Sequence, residues 1–186
     1  EIKIYPGEDY NEKELRRSVN RLRDRRWFEY GGINITRSEG DQPSVQDVKV
    51  EVVEAPTGSA KLAGGFSSSY GIVGMLEITQ RNFDIADLPT GIGDILEGTG
   101  FAGGGQTLRL RFLPGARRTS YSAYFREPYI FGQDLGFSIS VLDTSTVRES
   151  YDEKRRGGTI GLDKRWEDLK VGLDFSYFNI KVNDID

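Results

Sequence analysis

The chain has 186 residues, of which 25 are Lys or Arg and 29 are Asp or Glu, giving a net charge of -4 at pH 7. That balance makes no general case for nucleic-acid binding. The absence of Cys and His excludes cysteine-ligated metal sites, thiol nucleophiles and every histidine-based triad. Mean hydropathy is -0.50, and no run approaches the roughly 20 apolar residues of a spanning helix. A spanning strand needs only ~9–11 residues, half of them polar, so a membrane barrel stays open. The chain begins at Glu1 without a leader and stops in Asn183-Asp184-Ile185-Asp186. It is expected to be a piece of a longer chain, so the lack of a signal peptide says nothing.

Residues 1–56 differ from the rest. Asn11-Glu12-Lys13-Glu14 has the shape of a capping box and predicts a helix running to about Trp27, with Leu15, Val19 and Leu22 as its apolar stripe. Arg16, Arg17, Arg21, Arg23, Arg25 and Arg26 crowd its remaining surface, a pattern that reads as a solvated face. Gly31-Gly32 is a break; Ile33 and Ile35 then alternate with Asn34 and Thr36. Glu39 to Pro43 is a turn, and Val48, Val50 and Val52 alternate with Lys49 and Glu51. Helix, strand, turn and strand make a small α+β unit with a thin core.

From Gly58 the periodicity is 2. Ala60, Leu62, Gly64 and Phe66 lead through a Ser68-Ser69 turn to Ile72, Gly74, Leu76 and Ile78. A Gly-rich stretch, Asp87–Gly104, follows, in which Leu88, Ile92, Ile95 and Leu96 fit one short amphipathic turn. Gly105–Gly132 is a hairpin: Leu108, Leu110 and Phe112 oppose Thr107, Arg109 and Arg111, and on the return Tyr121, Ala123 and Phe125 oppose Ser122, Tyr124 and Arg126. Leu135, Phe137, Ile139 and Val141 continue the pattern. A charged loop is expected over Arg148–Arg156, then a strand from Ile160 to Trp166, a Glu167-Asp168 turn, and a strand carrying Val171, Leu173, Phe175 and Tyr177. This makes about seven meander strands, with short turns (Ser67–Ser69, Glu167–Asp168) expected to alternate with long ones (Thr144–Gly157). Aromatics Phe83, Tyr129, Phe131 and Trp166 sit near strand ends, as in a girdle. A soluble β-sandwich or lipocalin-like barrel shows similar alternation, but its turns more often carry Asn-Gly or Pro-Asp. Pattern alone leaves the membrane barrel and the soluble β-rich module both standing.

The order of elements adds a resemblance. Leu15, Leu22 and Arg23 leading into Trp27-Phe28, then Gly32-Ile33-Asn34-Ile35 and Val48 to Glu54, resemble the second half of a POTRA domain with its closing Val-x-Glu strand. Thr57 to Ser67 resembles the first barrel strand of the BamA family of outer-membrane assembly factors. Leu76 to Phe83 resembles its second strand, and Gly105–Gly132 its third and fourth, with the Pro-Tyr-x-Phe-Gly corner at Pro128, Tyr129, Phe131 and Gly132. The Asp87–Gly104 segment departs from the family, which has a short periplasmic turn there. The family's later strands and its Arg-Gly-Phe loop motif are absent, and seven strands do not close a bacterial barrel, which needs an even number.

The resemblance implies an α+β POTRA-like partial domain over 1–56, followed over 57–186 by the first strands of an antiparallel transmembrane β-barrel, incomplete as it stands. It implies a non-enzymatic protein of the outer membrane of a Gram-negative-type bacterium, with the POTRA-like part in the periplasm and no cofactor. Its partners would be unfolded outer-membrane proteins as substrates, outer-membrane lipid and accessory assembly subunits. In the family the first barrel strand is the edge that pairs with substrate. Here that edge is Ala60, Lys61, Leu62, Ala63, Gly64, Gly65 and Phe66, and the two glycines weaken pairing and permit bending. Arg109, Arg111 and Arg126 would face a polar lumen, with Asp174 among their partners, while Leu108, Leu110, Phe112, Phe137 and Ile139 would face lipid. Ile33 to Arg37 offers a second edge for augmentation.

Glu127-Pro128 ends a strand and is not read as catalytic. Asp152/Glu153 and Asp184/Asp186 lack the spacing of a calcium loop and read as solubilising. Gly103-Gly104-Gly105 lacks the Lys-Ser/Thr of a phosphate loop. Two alternatives remain: a POTRA-barrel that translocates proteins in secretion or organelle import, and the soluble binding module.

Overall fold

The computed structural model describes every residue except 1, 3, 41–44, 85, 86, 89, 98, 99, 167, 168, 185 and 186, and only the backbone at 95, 96 and 184. The expected turns at Asp41-Gln42-Pro43 and Glu167-Asp168, the side chains of Ile95 and Leu96, and the Asp184/Asp186 pair therefore lie outside the described residues. The chain divides into two units, Glu1–Thr57 and Gly58–Asp186.

In the first unit, helix α1 spans Glu12–Arg25. Asn11 caps it, its Oδ1 accepting from the amides of Lys13 at 3.0 Å and Glu14 at 3.3 Å. Glu12 and Glu14 in the first turn and Arg23 and Arg25 in the last complement the helix dipole. The helix stops two residues short of Trp27 because Arg26 turns left-handed at φ 56° and its amide donates to the Arg23 carbonyl. Strands β1 (Phe28–Glu39) and β2 (Gln46–Glu54) pair antiparallel. Gly31-Gly32 does not break the chain, contrary to the sequence reading. It forms a bulge inside β1 between Phe28 and Ile33, and Gly31 takes a φ of 79° that a side chain would resist. Leu15, Val19, Leu22 and Ile33 are the buried core, flanked by Phe28, Ile35, Val48 and Val50. Glu12 ties helix to sheet, accepting from Arg16 at 2.8 Å and Arg37 at 3.4 Å. The Arg16 hydrogen bond and then the Arg37 charge hold its carboxyl below the usual range.

The second unit is one antiparallel meander, β3 (Gly58–Ser67), β4 (Gly71–Phe83), β5 (Gln106–Leu113), β6 (Arg118–Glu127), β7 (Leu135–Val147), β8 (Tyr151–Trp166) and β9 (Leu169–Asp184), in sequential order. The sheet is open, with β3 and β9 at its margins. A short helix, α2 (Ile92–Glu97), lies in the connection between β4 and β5. At the far end of the sheet the connections 68–70, 114–117 and 148–150 are short, while the longer ones, 84–105 and 128–134, lie at the end where β3 begins.

The charged loop expected over Arg148–Arg156, and with it the long Thr144–Gly157 connection, is not a loop. Only Arg148–Ser150 turn; β7 and β8 run on as a ladder that pairs Asp143 with Arg156 and Val147 with Asp152. Charge does not bar a strand from a solvated face. Arg156 Nε donates to Asp143 at 2.7 Å, and the Arg155 guanidinium lies 4.3 Å from the centre of the Phe178 ring. Asp152 and Glu153 thus sit in β8.

Candidate functional site

Register decides which side chains share a face. One row runs Leu108, Phe125, Ile139, Ile160 and Phe175 across five strands; the next runs Ala60, Ile78, Leu110, Ala123, Val141 and Gly158. Leu62, Leu76, Phe112 and Phe137 fall on the same side. The five residues expected to face lipid, Leu108, Leu110, Phe112, Phe137 and Ile139, therefore share one face, and the apolar surface continues across all seven strands. Much of it is bare: Leu62 is 86% exposed and Leu173 78%. A water-soluble sheet rarely leaves so large a contiguous apolar area open. Beyond Val141, Gly158 and Tyr177 this face turns polar, with Asp143, Arg156, Asn179 and Lys181, while Phe178, Ile180 and Val182 move to the opposite side.

Alongside the apolar band the opposite face is polar, and it holds two paired charge clusters. Lys61, Glu77 and Arg111 are in register across β3, β4 and β5. Glu77 is buried; it accepts from Arg111 Nε at 2.8 Å, from Arg111 Nη2, and from Lys61 Nζ at 3.5 Å. Arg126 on β6 reaches past Gly136 on β7 to make two hydrogen bonds with Asp163 on β8, at 2.6 and 2.9 Å, and Lys170 adds a third contact at 3.3 Å. A Cβ on Gly136 would stand 2.7 Å from Arg126 Nη2, so this glycine leaves room for the ion pair. Arg109 lies over the Tyr124 ring at 6.0 Å. The three arginines share one face of the sheet, but Asp174 is not the partner of Arg111 or Arg126. It sits opposite Gly161, and Glu77 and Asp163 take the role. Sequence reading missed both carboxylates. Their signal was phase: Glu77 alternates with Leu76 and Ile78, and Asp163 with Leu162, in step with the arginines.

Strand β3 pairs with β4 alone, so the other edge of Ala60–Phe66 is open among the described residues. Its register is unbroken from Gly58 to Ser67. Gly64 and Gly65 carry no bulge and no positive φ, and a Cβ on Gly65 would meet nothing within 4 Å. They do not bend the strand as it stands; they leave it without side chains to pack. Gly64 also faces Gly74 in register, so the apolar face has a bare row there. Glu127 has a structural role, accepting from the Tyr129 amide at 2.9 Å and from Gln106 Nε2 at 2.8 Å at the corner. Phe83, Tyr129, Phe131 and Trp166 all lie at the end of the sheet where β3 begins.

Comparison with known proteins agrees with this geometry. The fold matches that of BamA from Haemophilus ducreyi lacking POTRA domains 1–3, with a TM-score of 0.67 at 16% identity over 97% of this chain. The chain spans 32% of the length of that protein. No curated protein matches. Residues 101–186 match the Omp85 superfamily domain. In fold and in the domain of its C-terminal part, the chain resembles the BamA family.

Proposed function

We propose that this chain joins the end of a POTRA-like periplasmic unit to the first seven strands of an outer-membrane barrel, and that the barrel folds and inserts other β-barrel proteins. The observation that carries this reading is the pairing of two features: a continuous apolar face, suited to lipid, and a first strand whose edge is open. Leu108, Leu110, Phe112, Phe137 and Ile139 meet acyl chains; Arg109, Arg111 and Arg126 line a wet lumen. An incoming strand adds to the Ala60–Phe66 edge through main-chain hydrogen bonds, which make little demand on its sequence. Gly64 and Gly65 keep that edge weakly packed, and the Lys61–Glu77–Arg111 row holds it to the wall. The POTRA-like unit receives unfolded outer-membrane proteins and accessory subunits, with the Ile33–Arg37 edge open to them.

Cysteine mapping tests this, because the chain has no native cysteine. In the full-length protein, Lys61→Cys and Ala63→Cys are expected to cross-link to cysteines in the last strand of a substrate barrel, with a fixed register offset. Cross-links at Arg109→Cys or Ser138→Cys, with none along 60–66, would instead favour passage of substrate through the lumen and overturn edge pairing.

A further inference from the structure

The end of the connection between β4 and β5, Gly100–Ala102, returns to the margin of the apolar face, and Asp87 and Asp94 are hydrogen-bonded to that stretch. Gln80, on that face, donates through Nε2 to the Gly100 carbonyl at 2.9 Å. The Phe101 ring stacks on Phe83 at 6.0 Å, and Phe83 meets the edge of Phe125 at 6.4 Å. The base is laced to β4: the Asp84 amide donates to the Phe101 carbonyl, and the amides of Gly103 and Gly105 donate to the Asn82 carbonyl and side chain. Phe101 is held at φ 55°, a conformation that bulky residues rarely adopt. Phe131, in the neighbouring β6–β7 turn, shares that strain at φ 58° and is 90% exposed. Strain of this kind persists where the surroundings impose it. The segment presents Leu88 and Ile92 bare, at 69% and 77% exposed.

From this we infer that the described residues between Asp84 and Gly105 form a membrane foot: they lie on the outside of the barrel wall, at the periplasmic rim, with Leu88 and Ile92 inserted at the headgroup–acyl boundary of the phospholipid leaflet. The inference rests on the lipid-facing assignment of the wall, with which the foot is continuous. A segment with a polar and an apolar side at this level lies in the interface plane. Its ionisable residues are Asp84, Asp87, Asp94 and Glu97, with no cation among them. Insertion is therefore driven by apolar area, and zwitterionic headgroups suit it better than anionic ones.

The test uses the full-length protein, reconstituted in phosphatidylcholine vesicles and carrying one environment-sensitive fluorophore on Ile92→Cys, Leu88→Cys, Leu110→Cys or, as the aqueous control, Arg148→Cys. The foot predicts blue-shifted emission at 92 and 88, at least twofold quenching by spin-labelled lipid placed near the headgroup, and weaker quenching when phosphatidylglycerol replaces half the lipid. Emission at 92 and 88 matching the aqueous control, with Leu110→Cys quenched by lipid spin-labelled deep in the acyl chain, would overturn the foot and leave the barrel wall standing. Loss of quenching at 110 as well would overturn both. Protection at 92 that appears only when periplasmic accessory proteins are added would assign the segment to a protein partner and also overturn the proposal.

Discussion

At the residue scale, glycine has two opposite uses in this sheet. Gly136 is needed for space: its Cβ position lies 2.7 Å from Arg126 and 2.8 Å from Asp163. Gly136→Val should therefore displace the ion pair and cost ~1–3 kcal/mol by overpacking, read as a lower urea midpoint of the refolded full-length protein. Gly65 has open space around it and an ordinary φ. Gly65→Ala should leave that midpoint within ~0.5 kcal/mol while slowing assembly of substrate barrels, if a loosely packed edge is what it provides. An unchanged assembly rate would remove the glycine from the mechanism. The arginines were legible in the sequence because alternation assigns every residue a face. Their partners were not, since phase does not say which carboxylate on which strand lies within reach. Register places Arg126 in the row of Ser138, Gly161 and Asp174, yet it pairs diagonally with Asp163, past Gly136.

At the element scale, the helix and its cap were readable from Asn11 onward, and the meander from its alternating runs. The extent of β8 was not. Its Arg148–Arg156 end is charged, and charge resembles a loop until the strand's neighbours are known. Among the described residues the buried apolar core lies wholly in the first unit. Leu15, 2% exposed, belongs to that core. Leu15→Ala should cost ~2–5 kcal/mol there, raising hydrogen exchange over 12–25 and leaving amides of β5–β7 unchanged. The foot has its own titrating latch. Asp94 accepts from the Thr90 hydroxyl at 2.8 Å and the Thr90 amide at 2.7 Å, and these bonds lower its pKa. A lowered folded-state value means that the latch stabilises fully above the ordinary Asp value of 3.8 and fades as pH falls below it. Amide protection over 90–101 should therefore hold at neutral pH and decline in acid, and Thr90→Ala should flatten that dependence.

At the scale of the whole molecule, the decisive property is that the two faces of the sheet differ in kind over seven strands. Leu110→Arg should cost ~2–4 kcal/mol if the residue lies near the bilayer midplane. A near-neutral effect on refolding into bilayers would remove the lipid-facing assignment. Periodicity suggested this architecture, and the order of elements added the resemblance to the BamA family while leaving a soluble module as an alternative. The return of Gly100–Ala102 to the sheet was beyond the sequence, because it depends on a hydrogen bond from Gln80 and on contacts among three aromatic rings rather than on any local pattern. The reversal of polarity along β7, β8 and β9 carries one more consequence. From Asp152 to Arg156, β8 runs on in register with its neighbours after the apolar band has ended, adding about 17 Å of strand at ~3.3 Å per residue. On the side opposite the foot, the barrel would stand above the bilayer as a stiff parapet rather than a fringe of loops. Under the proposed barrel reading, a molecule approaching that side would meet hydrogen-bonded backbone and a charged rim before it reached the lipid.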